Sequence, residues 1–273
     1  MKYTPRLPET NVNVSPGSPI KDLLLMLAAA SAIVVGIYVA LGFAVDKIAP
    51  HISYETELAI GGFLGKHPIL KNASPAPEAI QKLAETIRTR STDIPFPVTI
   101  SIREDPQVNA FAVPGGQIVL TTGILDAIES ENELAFILGH ELGHIAHRDH
   151  LRGMGRGLVL LTLSSLVLDA GDSIGGSLGN MVVLTELTFT RRQETLADEA
   201  GQDALMSVFG HITGAEQVFS HFAKRAETNY LTRFALSHPE TQSRIQHLRN
   251  RAKVEGFPAG PLTPLNPEPQ LSV

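Results

Sequence analysis

The pattern of apolar and polar positions divides the chain into a long apolar stretch, a mixed region and a helical region. Residues 23–45 carry no charge and are bracketed by Lys21, Asp22, Asp46 and Lys47. A helix of this length would span roughly 34 Å, enough to cross a hydrocarbon core of about 30 Å. The stretch predicts an uncleaved transmembrane helix. The alternative is a cleaved signal peptide, but the apolar stretch is longer than is usual there and follows about twenty polar residues.

The charges on the two sides of this stretch differ slightly. Lys2, Arg6 and Lys21 precede it, whereas only Lys47 and Lys66 follow in the adjoining segment. Basic residues accumulate on the cytoplasmic side of membrane helices. The charge difference therefore favours a cytoplasmic N-terminus. In a bacterium it would place the body of the protein in the periplasm, anchored in the inner membrane.

After residue 76 the periodicity changes from helix to strand and back to helix. PEAIQKLAETIRTR (77–90) spaces apolar residues three or four apart after a proline, which predicts an amphipathic helix. The alternation in PVTISIRE (97–104) predicts a half-buried strand. VNAFAV and QIVLTT flank a Pro-Gly-Gly turn and predict neighbouring antiparallel strands. Since helical periodicity follows from residue 123, the fold class is α+β, mainly helical with a small antiparallel sheet.

A second apolar stretch, GLVLLTLSSLVLDAG (157–171), is too short to cross a bilayer unaided. Its length favours a core helix, followed by a mobile glycine-rich linker, GDSIGGSLGN (171–180). The alternative is an interfacial helix that keeps the rest of the protein close to the membrane.

Proline and polar residues without periodicity mark both ends of the chain as flexible. The predicted organisation is a tail at 1–22, the transmembrane helix at 23–45, one folded domain at 46–256 and a proline-rich tail at 257–273. The chain has 273 residues and a formal net charge of −6, with no dense basic block, which argues against nucleic acid as a partner. It contains no cysteine, so any transition metal would be held by histidine and carboxylate ligands.

Candidate chemistry is concentrated in GHELGHIAHRDH (139–150). Ser130 and Glu133 form a capping-box pattern at the start of the helix that contains it. His140 and His144 are four residues apart, so they lie on one helix face, where two imidazoles can bind one zinc ion. Glu141 lies beside them and can take a proton from a water on the metal. The alternative is an accidental match, because the pattern fixes only three residues.

A third ligand is expected farther along the chain. In LTFTRRQETLADEAG (187–201), Glu194 and Asp198 lie four apart on a helical pattern, so both carboxylates can face the same direction. Glu194 could be the third ligand, and Asp198 could accept the N–H of a ligand histidine. The alternative is a solvated helix face whose charges form surface ion pairs.

Three segments in this order resemble a known family. HELGH, TRRQETLAD and SHPETQSRI (237–245) are similar to the motifs of membrane-associated zinc metallopeptidases of the gluzincin type. That family includes the CAAX prenyl protease, the heat-shock protease HtpX and periplasmic and mitochondrial quality-control proteases. The resemblance covers about residues 77 to 250, and three ordered motifs are far more specific than one.

The resemblance implies the roles of the site residues. His140, His144 and Glu194 would bind one Zn²⁺ per chain, and Glu141 would be the general base. Asp198 would hydrogen-bond a ligand histidine.

Further roles are implied by the third motif and by NAFAVPGGQIV (109–119). His238 would stabilise the developing oxyanion or fill the fourth zinc position in a latent state, and Arg244 would hold that segment. The alternative for His238 is a turn residue. Substrate would add as an antiparallel strand, with Asn109 and Phe111 as substrate-binding residues; for Asn109 an ordinary strand-start role is the alternative.

The resemblance also implies a zinc metalloendopeptidase that acts on misfolded or mislocalised proteins at the membrane. Two alternatives stay open: a zinc-dependent chaperone or scaffold that binds extended polypeptides with little cleavage, and a structural membrane protein. CAAX processing is disfavoured, because one anchor cannot build an enclosed intramembrane chamber. The remaining histidines are assigned to structure or surface: His51, His67, His147, His150, His211, His221 and His247.

Overall fold

The computed structural model describes residues 18–64, 72–168, 189–226, 238 and 241–265. The helices are α1 Pro19–Ile48, α2 Tyr54–Leu64, α3 Glu78–Ser91, α4 Thr122–Leu125, α5 Glu131–Ala146, α6 Asp149–Leu168, α7 Arg191–Phe209, α8 Ala215–Ala226 and α9 Thr241–Glu255. The strands are β1 Ala73–Pro75, β2 Thr99–Arg103, β3 Ala110–Val113 and β4 Gln117–Thr121. The domain is mainly helical with one small sheet, as the sequence predicted.

The apolar stretch near the N-terminus forms the long helix α1. Its most apolar window has a mean hydropathy of 2.5 and is not buried inside the protein. Within the described ranges it is the one helix long and apolar enough to cross a membrane. Because Pro19 fits the first helical turn, α1 starts before Lys21, and residues 19–22 are helical rather than part of a flexible tail.

The four strands form a mixed sheet in the order β1-β2-β4-β3. The predicted antiparallel pair β3 and β4 is confirmed, and both Gly115 and Gly116 in its turn have positive φ angles. The sheet as a whole is not antiparallel, because β2 and β4 run parallel. After β2 the chain first forms β3 at the edge of the sheet. It then reverses direction in the turn, and β4 lies between β3 and β2, parallel to β2.

Strands β3 and β4 are buried on both faces of the sheet. Ile118 and Leu120 of β4 face the main core, which also contains apolar side chains of α3, α5, α7 and α8. Val119 of β4 points to the other face, into a smaller cluster with Leu151 and Met154 of α6 and Ala49, just after α1. Because successive side chains of β4 point to opposite faces of the sheet, this strand contributes to both the main core and the smaller cluster beside α1.

Small residues bring α5 and α7 into close contact. A Cβ at Gly139 would lie 2.4 Å from Cβ of Ala204, and one at Gly143 would lie 2.8 Å from Cβ of Ala200. One at Gly201 of α7 would lie 2.8 Å from the Phe136 ring. Glycine is required at these crossing points because any larger residue would push the helices apart. This contact determines how closely α7 can approach the histidines of α5.

The beginning of the proline-rich C-terminal segment is held against the start of α5. The Glu131 N–H donates to the Thr263 carbonyl at 2.9 Å, and the Leu265 N–H donates to the Glu129 carbonyl at 3.2 Å. The Thr263 N–H also donates to the Asn132 side chain at 2.8 Å. Residues 257–265 are therefore part of the folded domain, although the sequence predicted a flexible tail from 257. Proline prevents helix or sheet interior, but it does not prevent packing of an irregular segment.

Candidate metal centre

Helix α5 presents His140 and His144 to the interior of the protein. Its start is fixed by Ser130, whose hydroxyl accepts the Glu133 N–H at 3.2 Å, as the capping pattern predicted. The Glu133 carboxylate accepts the N–H of Glu129 rather than that of Ser130. Both histidines are almost completely buried, and their Nε2 atoms lie 3.2 Å apart.

Helix α7 brings a carboxylate to the same point. Glu194 is buried, with one oxygen 3.7 Å from His140 Nε2 and the other 3.6 Å from His144 Nε2. Donor atoms of His140, His144, Glu194 and His238 all lie within 4.8 Å of one another. The alternative of a solvated α7 face with surface ion pairs is wrong for Glu194 and Asp198, since both are buried.

The spacing of these atoms fits a tetrahedral cation. Ligands at 2.0–2.2 Å from such an ion lie roughly 3.3–3.6 Å from one another. The distances among the two Nε2 atoms and the Glu194 oxygens are 3.2, 3.6 and 3.7 Å. Lone pairs of these atoms would repel across a buried space unless a proton or a metal cation lay between them, so the arrangement favours positive charge at its centre.

Each α5 histidine has a carboxylate behind it. His140 Nδ1 donates to Asp198 at 3.1 Å, and His144 Nδ1 donates to Asp149 at 3.1 Å. An ionised carboxylate only accepts hydrogen bonds, so Nδ1 holds the proton and Nε2 faces the cluster. This is the usual arrangement around metal-bound histidine, because it fixes the tautomer and the ring orientation.

The electrostatics of the cluster favour one shared positive charge. Burial alone would lower the pKa of His144, but the hydrogen bonds with Asp149 and Glu194 outweigh it and raise that pKa to about 10. Burial lowers the pKa of His140. Burial would raise the pKa of Glu194, but the neighbouring His238 and His144 hold it well below its usual range. The carboxylates that favour a proton on His144 would equally favour a metal cation at Nε2.

Arg244 of α9 holds the two α7 carboxylates in place. Its Nε and one terminal nitrogen donate to the two oxygens of Asp198 at 2.8 and 2.6 Å. Its other terminal nitrogen lies 2.8 Å from a Glu194 oxygen and donates to the His238 carbonyl at 3.1 Å. A planar guanidinium can make this set of contacts at once, whereas an ammonium cannot. The segment bearing His238 is therefore tied to α7 through Arg244.

Glu141 lies at the edge of the cluster without belonging to the donor set. It is buried, and among the described residues no group donates a hydrogen bond to its Oε1. That oxygen lies 3.8 Å from His238 Nε2. A buried carboxylate oxygen without a partner is costly unless water or another ligand reaches it. The arrangement therefore provides a proton acceptor beside the donor cluster.

His238 contacts the cluster through its other nitrogen. Its Nδ1 lies 3.2 Å from His140 Nε2 and 2.8 Å from a Glu194 oxygen. The side chain is almost completely buried, so a surface turn residue is not what the structure contains. At these distances His238 could fill a fourth position around a cation.

The comparison with known protein families agrees with this geometry. The family model described as peptidase family M48 matches residues 74–252, well over half of the chain. The chain belongs to peptidase family M48. The match spans the α5, α7 and α9 segments that form the cluster and includes all of its donor residues.

Similar proteins are metalloproteases from bacteria and mitochondria. The metalloprotease LoiP of Escherichia coli is 30% identical over 168 residues, which are 59% of this chain and 65% of LoiP. A putative beta-barrel assembly-enhancing protease of Vibrio cholerae is 27% identical, over 64% of this chain and 39% of that protein. The mitochondrial metalloendopeptidase OMA1 of Danio rerio is 24% identical, over 67% and 42%. The chain spans less than two thirds of the length of each.

Among the residues expected to bind substrate in this M48 protein, Asn109 and Phe111 lie at the outer strand β3. Asn109 is buried, and its N–H donates to the Thr121 hydroxyl at 3.0 Å. The Phe111 ring packs in the smaller cluster, 5.3 Å from the Arg103 guanidinium. The Phe111 side chain is thus part of the core, so it could contribute to substrate binding only through its main chain.

The remaining described histidines make contacts outside the cluster, in agreement with their assignment to structure or surface. His150 pairs with buried Glu57 at 2.9 Å, and His221 pairs with Glu133 at 2.6 Å. His247 pairs with Glu199 at 2.8 Å on a partly exposed face. His67 lies outside the described residues.

Two residues of the centre were missed from the sequence. Asp149 orients His144 and accepts hydrogen bonds from Gln193 at 2.7 Å and Arg152 at 2.9 Å. The Phe189 ring stacks on His144 with centroids 3.9 Å apart. Asp149 could have been found, because each ligand histidine needs an acceptor and HRDH follows the motif directly. No signal marked Phe189, since its contact depends on how α7 approaches α5.

Proposed function

We propose that this M48 protein is a zinc-dependent endopeptidase, held at a membrane by α1, that hydrolyses peptide bonds. One observation carries the proposal: three donors spaced for a tetrahedral cation lie beside a buried carboxylate oxygen with no hydrogen-bond partner among the described residues. A cluster of histidines alone would also suit a storage or structural site. The added proton acceptor is what hydrolysis requires.

We assign His140, His144 and Glu194 as the zinc ligands. Two imidazole nitrogens and one carboxylate oxygen are a common ligand set for catalytic zinc, and they leave one position open. The cysteine-free sequence and the nitrogen-rich donor set favour zinc over magnesium or calcium, which prefer oxygen ligands. When bound, zinc would supply a Lewis acid that polarises a carbonyl and lowers the pKa of water towards neutrality.

The protein's own residues would manage the proton. Oε1 of Glu141 would take a proton from the attacking water and deliver it to the leaving amine nitrogen. His238 Nε2, 3.8 Å from that oxygen, would stabilise the charge that develops on the substrate oxygen. Asp149 and Asp198 would keep both ligand imidazoles in the Nε2-facing tautomer throughout.

Polypeptide substrates are proposed to bind along β3. It is one of the two edge strands of the described sheet and pairs on one side with β4. An extended segment added to its other edge would be held by main-chain hydrogen bonds, which give affinity with little sequence preference. Such binding suits unfolded or misfolded proteins, the substrate class we propose.

The membrane location rests on the length and exposure of α1. A helix of 30 residues whose apolar stretch is largely exposed would be unfavourable in water but is favourable in a bilayer. With the charge difference described above, we propose a bacterial inner-membrane protein whose catalytic domain lies in the periplasm and takes part in quality control of membrane-associated proteins.

The test is metal content and cleavage in the purified full-length chain in detergent. We expect about one zinc per chain by elemental analysis, with cleavage of casein. His140→Ala and Glu194→Ala should each lose zinc and cleavage together. His247→Ala, which removes a histidine on a partly exposed face, is the matched control and should keep both. Zinc retained by Glu194→Ala would show that the third ligand is misassigned, and a parent chain without zinc would refute the proposal.

A weaker effect is expected when the acceptor behind His144 is changed. Asp149→Asn keeps the side-chain volume but removes the charge that orients and polarises the imidazole. The affinity for zinc, measured by competition with a chromophoric chelator, should fall by roughly 10–100-fold. Asp203→Asn on α7, whose carboxylate pairs with Arg251 near the surface, should leave the affinity unchanged. Equal affinities in the two variants would mean that Asp149 has no part in metal binding.

A further inference from the structure

One face of the apolar half of α6 is not covered by the domain to which it belongs. Residues 157–168 contain no charged side chain. Leu158 is 36% exposed and Leu160 is 48% exposed, although both are large apolar residues. The sequence favoured a core helix between the two ligand-bearing helices; that interpretation does not hold for the face bearing Leu158 and Leu160, although Leu161 packs against the smaller cluster. The first half of the same helix is different, because Leu151 and Met154 are buried in the smaller cluster.

Helix α6 packs antiparallel against α1. Arg148, at the turn before α6, donates to the Ala49 carbonyl just after α1. About two helical turns farther along α6, a Cβ at Gly155 would lie 2.6 Å from a methyl group of Val45, so glycine permits close approach there. Later residues of α6 therefore lie beside earlier residues of α1, towards the middle of the apolar stretch of α1.

An ion pair lies at the boundary between the charged and the uncharged parts of α1 and α6. Arg156 of α6 forms an ion pair with Asp46 of α1, and both side chains are about one third exposed. Before this pair α6 carries charges, and after it neither α6 up to Leu168 nor α1 back to residue 23 carries any. Paired charges at one level, with apolar residues on both helices beyond it, are typical of a membrane–water interface.

We propose that residues 157–168 of α6 insert into the bilayer beside α1, with lipid acyl chains covering the exposed leucines. Twelve residues of helix extend about 18 Å, which reaches slightly past the middle of a hydrocarbon core of about 30 Å but does not cross it. The proposal rests on α1 being a membrane anchor. It goes beyond that anchoring because it gives the catalytic domain a second contact with lipid.

This contact would also fix the distance of the metal centre from the membrane. Asp149, which hydrogen-bonds His144, lies seven residues before Arg156 on the same helix, or about 10 Å along its axis. The cluster would then lie close above the lipid surface, within reach of segments that emerge from the bilayer.

The experiment uses the absence of cysteine, which makes single-site labelling clean. Full-length Leu160→Cys is labelled with an environment-sensitive NBD probe and reconstituted into phosphatidylcholine and phosphatidylglycerol vesicles containing doxyl-labelled lipid. Leu27→Cys on exposed α1 is the positive control, and Val254→Cys, 83% exposed on α9, is the control outside the membrane. Casein cleavage by each labelled protein verifies that the fold is intact.

We expect doxyl lipid to quench most of the fluorescence at positions 160 and 27 and little of it at position 254. Quenching at 27 without quenching at 160 would refute the insertion of α6 while the anchor stands. A blue-shifted but unquenched probe at 160 would also refute it, because protein such as a second copy would then cover the helix. Absence of quenching at 27 would refute the anchor and the inference together.

Discussion

Replacing Glu141 with glutamine is expected to reduce casein cleavage by roughly 10²–10⁴-fold while about one zinc per chain stays bound. The carboxylate is buried beside the donor cluster without being one of its donors, and no described group donates to its Oε1. Glutamine has nearly the same shape, so the packing of α5 should not change. It cannot accept the proton of the attacking water, however, and the chemical step should be lost.

The measurement is the initial rate of cleavage together with elemental analysis on the same preparation. Glu216→Gln is the matched control, because it makes the same substitution at an exposed ion pair with Arg249. Full activity in Glu141→Gln would favour a different base, or a binding scaffold whose cellular role does not depend on cleavage. Loss of zinc in this variant would mean that Glu141 supports the ligand set instead.

The parts of the centre that could be predicted are those determined by local helix geometry. His140 and His144 share a face because four residues make about one helical turn, and this holds wherever α5 packs. Glu194 and Asp198 follow the same rule on α7. The spacing of residues within each helix could not determine that α5 and α7 lie against each other. That expectation depended on the resemblance to a family with three ordered motifs.

The parts that could not be predicted depend on contacts between distant segments. The close approach of α5 and α7 requires glycine at positions 139, 143 and 201, where the two helices cross. A glycine in a helical pattern does not by itself indicate which helix packs against it. The parallel pairing of β2 with β4 arises because β3 is built at the outer edge, which strand periodicity does not reveal. The membership of residues 257–265 in the fold likewise depends on main-chain hydrogen bonds, for which no side-chain pattern exists.

The interpretation of α6 shows why length alone misled. An apolar run of about a dozen residues is common in protein cores, so a core helix was the natural expectation. The structure shows that the run begins directly after the ion pair between Arg156 and Asp46 of α1. The first half of the same helix packs in the smaller cluster. In the second half Leu161 still packs against the smaller cluster, whereas Leu158 and Leu160 are left exposed beside α1, where we propose that lipid covers them.

Replacing Arg244 with methionine is expected to lower the free energy of unfolding of the metal-free protein by about 3–5 kcal/mol. Arg244 is buried and contacts both Asp198 and Glu194, so its removal would leave the Asp198 carboxylate without its arginine and would remove one of the positive charges beside Glu194. Methionine keeps most of the side-chain length, which separates the loss of charge from the loss of packing. Because small domains have only about 5–15 kcal/mol of stability in total, this single change should bring the chain close to unfolding.

The measurement is urea denaturation of the chelator-treated chain in detergent, followed by circular dichroism. Arg249→Met is the matched control, since it removes an exposed arginine five residues farther along the same helix and should shift the midpoint little. Arg244→Lys should recover only part of the loss, because an ammonium keeps the charge but cannot make the two-pronged contact with Asp198. If Arg244→Met and Arg249→Met unfold at the same urea concentration, the carboxylates of α7 do not need Arg244, and the segment carrying His238 must be held to the centre by other contacts.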